Sequence, residues 1–522
     1  MLEGILDVRS KTASKDHPSV ILQEYLENLI LNNLRSKDLR ELKEKILKSH
    51  ESKALKQQLV NLLYREKKRI IEAYPTNPSL KKVFSNTQFI NRIAEVAVER
   101  IKCSPDAPVL RIDNKVVNAE IKNLYEGINV GLIFGAETIL FQEIVLAYQA
   151  DESSSRCYGE PQVNILGVHV NWLTEDGEAS RSLIVDKSWK VKEVEFKEPV
   201  HLHVVHILHL PSDEEREMHR KLSKFFKSLN IPQINPYKAS ERADDKYWTH
   251  KLWISKVETP SFMLITKGNS LERSLQNLLK FAEMIGRTKK QNKVMIFIQP
   301  NHGTEGRHVE RFEINISNQS LDEKGKIAQH ITKILAYDDV LVREERGNIR
   351  FRKDDDPEEP FRYISFRLNV AWNGIGFIAE SGYAQISKSS RCPVASRGRG
   401  GEIISLHKAL HNLYREIDAE WLKLRVSSGD FKKIKKSAEI AALKLNANLP
   451  INSYLKMVGI DLVLEEKDGS VYPVLLEANP RPAGLAHLTC LNAAFNGKLK
   501  LKISQAIFDT IRSLVTKKEI LV

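Results

Sequence analysis

Residues 459–484 read GIDLVLEEKDGSVYPVLLEANPRPAG. Both halves are apolar and the centre is Lys467-Asp468-Gly469, a turn composition, so the segment reads as a β-hairpin. Folding it about Gly469 sets Asp461 and Glu477, each eight residues away, opposite one another. Side chains two apart on a strand share a face, which places Asn479 beside Glu477, and Glu465, four residues from Asp461, shares the face of Asp461 as a possible substitute ligand. Two carboxylates and an amide oxygen on one surface make a hard-oxygen set of the kind Mg²⁺ takes together with phosphate oxygens. Arg481, two residues further on, adds a fixed positive charge suited to a phosphate or a developing oxyanion. The plainer alternative is an edge hairpin with solvated acids. Glu477 fits it poorly, because it follows the apolar run VLL and precedes a Pro-Arg-Pro turn.

Outward from the hairpin, the 522-residue chain is long enough for about three domains. Its 42% hydrophobic content is that of a folded globular protein. No apolar run approaches the roughly 18 residues of a membrane span, and the first residues lack the pattern of a secretory signal. The expectation is a soluble, cytoplasmic protein. Cys103, Cys157, Cys392 and Cys490 form no CxxC pair, which argues against a zinc site or a disulfide framework and fits a reducing compartment. A net charge of +13 favours anionic partners. Much of that excess alternates with Glu on helical stretches such as KDLRELKEKILKSHESKALKQQ, which reads as a solvated face, so nucleic acid and membrane are not expected partners.

The chain divides by pattern into four sections. Residues 1–105 carry apolar residues at helical spacing and form a helical section that is compatible with a homodimer. Residues 106–240 hold buried-strand segments and an amphipathic helix, the makings of a parallel α/β unit. In HLHVVHILHL, His201, His203, His206 and His209 do not share one strand face, so each reads as a satisfied strand histidine. Residues 241–350 alternate helix and strand. Residues 351–522 carry strands, two helices and the hairpin. RFRKDDDPEEPFR (350–362) reads as a surface loop. The segment 386–402, with Lys388, Arg391, Arg397 and Arg399 among Ser and Gly, is either a loop closing on an anion or a solvated insertion. Cys392 has no recognisable partner arrangement for nucleophilic chemistry.

The hairpin resembles the C-terminal metal-binding signature of the ATP-grasp superfamily, an acidic residue on one strand and Glu-x-Asn-x-Arg after the next, here Asp461, Glu477, Asn479 and Arg481. Four weaker segments follow in the family's order. DDKYWTHKLW (244–253) resembles its Asp-Lys entry, with Lys246 a phosphate contact. VMIFIQPNHGTEGRHVERF (294–312) resembles its glycine-rich phosphate loop, with Gly303, Thr304 and Gly306 in the loop and Gln299 where the family usually has lysine. DDVLVREERGN (338–348) resembles the strand that cradles adenine, contacting the base around Arg343, Glu344 and Glu345 mainly through backbone. FRLNVAWNG (366–374) resembles the next strand, with Arg367 aimed at the phosphates.

The resemblance implies an ATP-grasp fold, α/β with α+β subdomains, after a parallel α/β subdomain and the helical N-terminal section. It implies ATP with one or two Mg²⁺ (or Mn²⁺) held by Asp461, Glu477 and Asn479. It further implies ligation of a carboxylate to an amine, or less often a thiol, through an acylphosphate, with ADP and phosphate released and Arg481 and Arg367 as catalytic residues. An amino acid or peptide is the suggested substrate class. The alternatives are a kinase or phosphotransferase on the same fold, and a degenerate, non-catalytic nucleotide-binding protein, which Gln299 favours.

Overall fold

The computed structural model describes residues 52–73, 90–91, 94, 113–119, 127–134, 144–145, 148–149, 152–153, 160–185, 191–208, 213–303, 308–317, 321–353, 359–395, 400–417, 420–480 and 505–520. These residues form a mixed α/β protein of two compact units. The helical reading of 1–105 falls largely outside them, as do His209, residues 354–358, Arg397, Arg399, Cys103, Cys157 and Cys490. No helix among the described residues is long and apolar enough to cross a membrane.

The first unit contains helix α1 (Ser52–Ala73) and strands β1 (Asp113–Ala119), β2 (Ile128–Phe134), β3 (Val163–His169), β4 (Ala179–Val185), β5 (Val191–Val200) and β6 (Val204–Ile207). They lie in the order β1-β5-β4-β3-β2-β6. Every residue of β2 is buried, as its unbroken apolar sequence requires of a strand covered on both faces. The sheet is parallel across β3, β2 and β6, but β4 runs antiparallel to both β3 and β5. The expected all-parallel unit is therefore mixed. The cause is local: the link from β3 to β4 is short and closes on a turn in which Gly177 (φ 76°) donates to Thr174, leaving no length for a crossover. Of the expected strand histidines, His206 lies on β6 and is buried, whereas His201, which is exposed, and His203 fall in the link between β5 and β6. His203 Nδ1 accepts from Asn129 N at 3.0 Å, and His206 meets the Tyr148 hydroxyl at 2.9 Å.

The second unit begins with α2 (Asp213–Ser228), β7 (Gln233–Ile234), α3 (Tyr237–Asp244) and α4 (Lys246–Trp253). Next come β8 (Phe262–Ile265), α5 (Leu271–Lys289), β9 (Lys293–Pro300), β10 (Glu310–Asn315), α6 (Leu321–Leu335) and β11 (Val340–Glu344). The four strands form an antiparallel sheet, β10-β9-β11-β8. Val294, Ile296 and Ile298 alternate along β9 and join Val340 and Val342 in a core with Leu278, Phe281 and Ile285 of α5 and Ile327, Ile331 and Ile334 of α6. Alternation sends Phe297, Gln299 and Arg343 to the opposite face.

The remaining elements are β12 (Ile349–Phe351), β13 (Arg362–Trp372), β14 (Phe377–Ile386), β15 (Glu402–Ser405), α7 (Leu406–Leu410), β16 (Leu413–Ile417), β17 (Glu420–Leu424), α8 (Ser428–Leu445), β18 (Met457–Lys467), β19 (Ser470–Asn479) and α9 (Gln505–Ile520). β13 pairs with β14 on one side and, beyond β12, with β18 on the other, and β18 continues to β19. One face packs Phe366, Leu368, Val370, Ile460, Leu462 and Leu475 against Ala438, Ala441 and Ala442 of α8. The other face carries the polar residues described next.

Candidate functional site

The hairpin β18–β19 turns through Asp468 (φ 53°) and Gly469 (φ 77°), the two left-handed residues of a type I′ connection, between the paired Lys467 and Ser470. Continued without interruption, that register would put Leu476 opposite Asp461 and turn Glu477 to the core face. Instead, Asp461 pairs with Glu477 while Leu462 pairs with Leu475, so Leu476 is an extra residue, a β-bulge. One residue of slip flips every side chain beyond it, and here it carries Glu477 and Asn479 to the face of Asp461.

Two polar rows result across four strands. Tyr383, Arg367, Asp461 and Glu477 stand in one, and Ser381, Asn369, Gly459 and Asn479 in the next. Arg367 clasps Asp461 with both arms, Nε to Oδ1 at 2.5 Å and a terminal nitrogen to Oδ2 at 2.6 Å. Asn479 Nδ2 also donates to Oδ2, at 3.2 Å. Gly459 makes room for this: a Cβ there would lie 3.1 Å from Arg367 Cδ.

Two more cations enter from other elements. Asp245 caps α4 by accepting from Trp248 N at 2.8 Å, which sets Lys246 on the first helical turn. Lys246 is buried and its Nζ donates to the carbonyls of Gly303 and Asn301. Asn301 ties that loop to the helix, accepting from Tyr247 N at 2.8 Å and donating to Asp245 at 3.0 Å. Arg343 reaches the bulge itself, donating to Leu476 O at 3.3 Å.

The charges follow from burial and from one another. Burial pushes the Asp461 carboxyl up, against the pull of Arg367, and neighbouring Glu477 adds to the rise. Burial would raise Glu477 too, but Lys246, Arg343 and Arg367 outweigh it and hold the group low. Burial lowers Lys246 and Arg343, each opposed by Glu477. Burial would also lower Arg367, yet Asp461 raises it overall. Three cations, Lys246 buried and Arg343 and Arg367 half-buried, thus surround two carboxylates, an excess of positive charge that suits a polyanion.

Lys246, Arg343, Arg367, Asp461, Glu477 and Asn479 are brought together. Arg481, Thr304 and Gly306 lie outside the described residues. Gln299 is buried on β9. Glu344 and Glu345 have committed groups: their amides donate to Ser261 O and Met295 O, both at 2.9 Å, and their carboxylates pair with Lys289 and Arg311. Glu465 is likewise taken, held by both arms of Arg346 and by Gly347 N. Sequence reading missed Asn369, Ser381 and Asn301. The one available signal was Asn369, a polar residue two positions from Arg367 in an apolar strand.

A hard divalent cation asks for oxygen donors. Among the described residues no three His, Cys, Asp or Glu side chains gather in a metal-binding group. Two carboxylates and an amide do gather. Asn479 spends its Nδ2 on Asp461, which leaves Oδ1 for a ligand, and the Asp461 carboxylate, which accepts three hydrogen bonds, keeps one further lone-pair site of about four. The set fits a Mg²⁺ shared with phosphate oxygens.

No family model and no curated protein matches this chain. Among solved structures, it is similar to a D-alanine-D-alanine ligase from Coxiella burnetii, with 11% identity over 76% of this chain and 97% of that one, at a TM-score of 0.41. It is similar to the VanG D-Ala:D-Ser ligase from Enterococcus faecalis, with 12% identity over 74% and 99%, at 0.42. A third likeness is to an L-amino acid ligase from Bacillus licheniformis, with 11% identity over 68% and 69%, at 0.34.

Proposed function

We propose that this chain is an ATP-grasp ligase that binds Mg-ATP between its 241–350 and 351–522 sections and joins a carboxylate to an amine. The observation that carries the reading is the meeting of Lys246, Arg343 and Arg367 with Asp461, Glu477 and Asn479, drawn from five separate elements onto one polar face. Glu477 and Asn479, with Asp461, would hold Mg²⁺ against the phosphates; the ion neutralises phosphate charge. Lys246 binds and orients the phosphates from the helix terminus, and Arg343 adds charge from the facing sheet.

In the reaction, an oxygen of the substrate carboxylate attacks the γ-phosphorus and the bond to ADP breaks, giving an acylphosphate and ADP. The amine nitrogen then attacks the acyl carbon, phosphate leaves, and the amine proton passes to phosphate or solvent. Charge spread over the transferring phosphoryl group is met by cations that are already in place. Arg481 is assigned the tetrahedral oxyanion. An amino acid or peptide is the substrate class, and the enzyme is cytoplasmic.

One observation favours a second reading. The Arg367 clasp occupies both oxygens of Asp461, and together with Gln299 it suits a protein that binds nucleotide without turning it over.

Calorimetric titration of ATP, with and without Mg²⁺, into wild type and Glu477→Ala tests the site. Mg-dependent binding that the substitution weakens at least tenfold is expected. ADP release that needs both an amino acid and an amine then separates ligase from binding protein, and a stable phosphorylated product would indicate a kinase. Absence of nucleotide binding to wild type sinks the proposal.

A further inference from the structure

The hairpin that carries Asp461, Glu477 and Asn479 is open at the end nearest them. Trp372 N donates to Lys456 O at 2.8 Å, so β13 takes up the backbone of Lys456, and alternation turns the N–H and C=O of Met457 to the opposite edge, toward β19. β19 has nothing to offer there. Its last residue, Asn479, pairs with Gly459, two positions along from Met457, and Pro480 has no N–H to give. Met457 is fully buried, so its backbone groups need a partner from the protein.

Asn235, between β7 and α3, supplies it. Its Oδ1 accepts from Met457 N at 3.0 Å and its Nδ2 donates to Met457 O at 2.7 Å, the two bonds that a peptide group on a neighbouring strand would make. The same Nδ2 also donates to Pro480 O. One carboxamide thus ties the first residue of β18 to the residue that follows β19. Asn235 is itself held in place. It is fully buried, and its carbonyl accepts from the His219 ring of α2 at 3.2 Å and from the Ser240 hydroxyl of α3 at 3.3 Å. Its backbone is left-handed (φ 58°), which asparagine tolerates better than most residues.

We infer, resting on the Mg-ATP reading above, that Asn235 is a positioning residue: by completing the ladder at Met457 and Pro480 it sets where Asn479 stands against Asp461. Pro480 directly follows Asn479, whose Nδ2 lies 3.2 Å from Asp461 Oδ2, so a displaced Pro480 carries Asn479 with it. Arg367 holds Asp461 independently, through both carboxylate oxygens. Loss of the Asn235 tie therefore separates the amide oxygen from the carboxylates instead of moving all three together. Groups that orient metal ligands from behind typically govern about 10–100-fold of a site's metal affinity or activity. Asn235 acts through Asn479 and makes no contact with the nucleotide in this arrangement.

The test is calorimetry with ATP, without and with Mg²⁺, on wild type, Asn235→Asp, Asn235→Gly and Leu278→Ala, with thermal melts of each. Asn235→Asp keeps the acceptor toward Met457 N and sets an oxygen against two carbonyls. Asn235→Gly keeps the left-handed backbone and deletes the amide. Leu278→Ala, in the buried core of the four-stranded sheet, is the control for lost stability alone. Wild type should gain ATP affinity when Mg²⁺ is added. In both Asn235 variants that gain should be about tenfold smaller, while metal-free ATP binds within about twofold of wild type. Leu278→Ala should melt lower and keep the gain. Asn235 variants that melt lower but keep the wild-type gain, or that lose metal-free and Mg-dependent affinity by the same factor, reveal a structural tie only and overturn the inference. Should neither Asn235 variant fold, Ser240→Ala decides: a smaller gain supports the inference and an unchanged gain overturns it. Wild type that binds no ATP, or gains nothing from Mg²⁺, overturns the ligase reading and this one with it.

Discussion

Removing one partner of the Arg367–Asp461 pair should cost far more than removing both. The two groups are almost enclosed, with side chains 13% and 10% exposed, and meet through two short hydrogen bonds. Unit charges about 4 Å apart at an effective dielectric of about 20 attract by about 4 kcal/mol. Loss of one partner strands the other in the interior, for which about 3–5 kcal/mol is usual. The two single losses differ, however. A stranded carboxyl can take up a proton, and burial already pushes Asp461 in that direction. A stranded guanidinium has no such escape. Asp461→Asn should therefore destabilise by about 4 kcal/mol, Arg367→Met by about 3, and the double variant by about 2 or less, a coupling of at least several kcal/mol. Urea unfolding followed by tryptophan fluorescence reads it, since buried Trp372 lies on the same strand as Arg367. Additive single losses, or an Asp461→Asn cost below about 1 kcal/mol, would refute the view that this pair is a desolvated clasp.

Three further outcomes are expected. His206 is fully buried, and burial lowers it from 6.5 to about 3. The folded form then binds fewer protons than the unfolded one, so stability is lost as pH falls below 6.5, by up to about 1.4 kcal/mol per pH unit. Melting curves from pH 7 to 5 should slope less in His206→Phe. Buried Lys456 donates to the carbonyls of Gln233, Asn452 and Tyr454, so Lys456→Met should cost about 2–4 kcal/mol in denaturant titrations. Gly459→Ala presses on Arg367 Cδ and should weaken ATP binding about tenfold while lowering stability by no more than about 2 kcal/mol, as calorimetry and melts would show.

The hairpin was legible because its turn chemistry and its apolar runs are local. Asp468 and Gly469 specify a two-residue connection, and the period-two pattern follows from it. The facing of Asp461 and Glu477 was anticipated from a fold symmetric about Gly469, but the structure reaches it by a different route. The tight turn alone gives the wrong register, and the bulge at Leu476 corrects it. Nothing in an apolar leucine between apolar neighbours announces a bulge, because its cause is tertiary: Arg343 takes the carbonyl that the extra residue releases from the ladder. The Arg367 clasp was illegible for a related reason, since it depends on how β13 lies against β18, a register set by strands some ninety residues apart.

The bulge therefore joins two structural facts into one. It turns Glu477 from the core to the polar face, and it offers Leu476 O to a cation from the opposite sheet. A regular hairpin would bury an unpaired carboxylate against α8 and leave Arg343 without that acceptor, an arrangement penalised twice by desolvation. The carboxylate face and the cation that balances it thus arise from a single inserted residue. Half-buried Glu477 is held ionised first by Lys246 and then by Arg343, which is anchored by the same kink that delivers the acid to it.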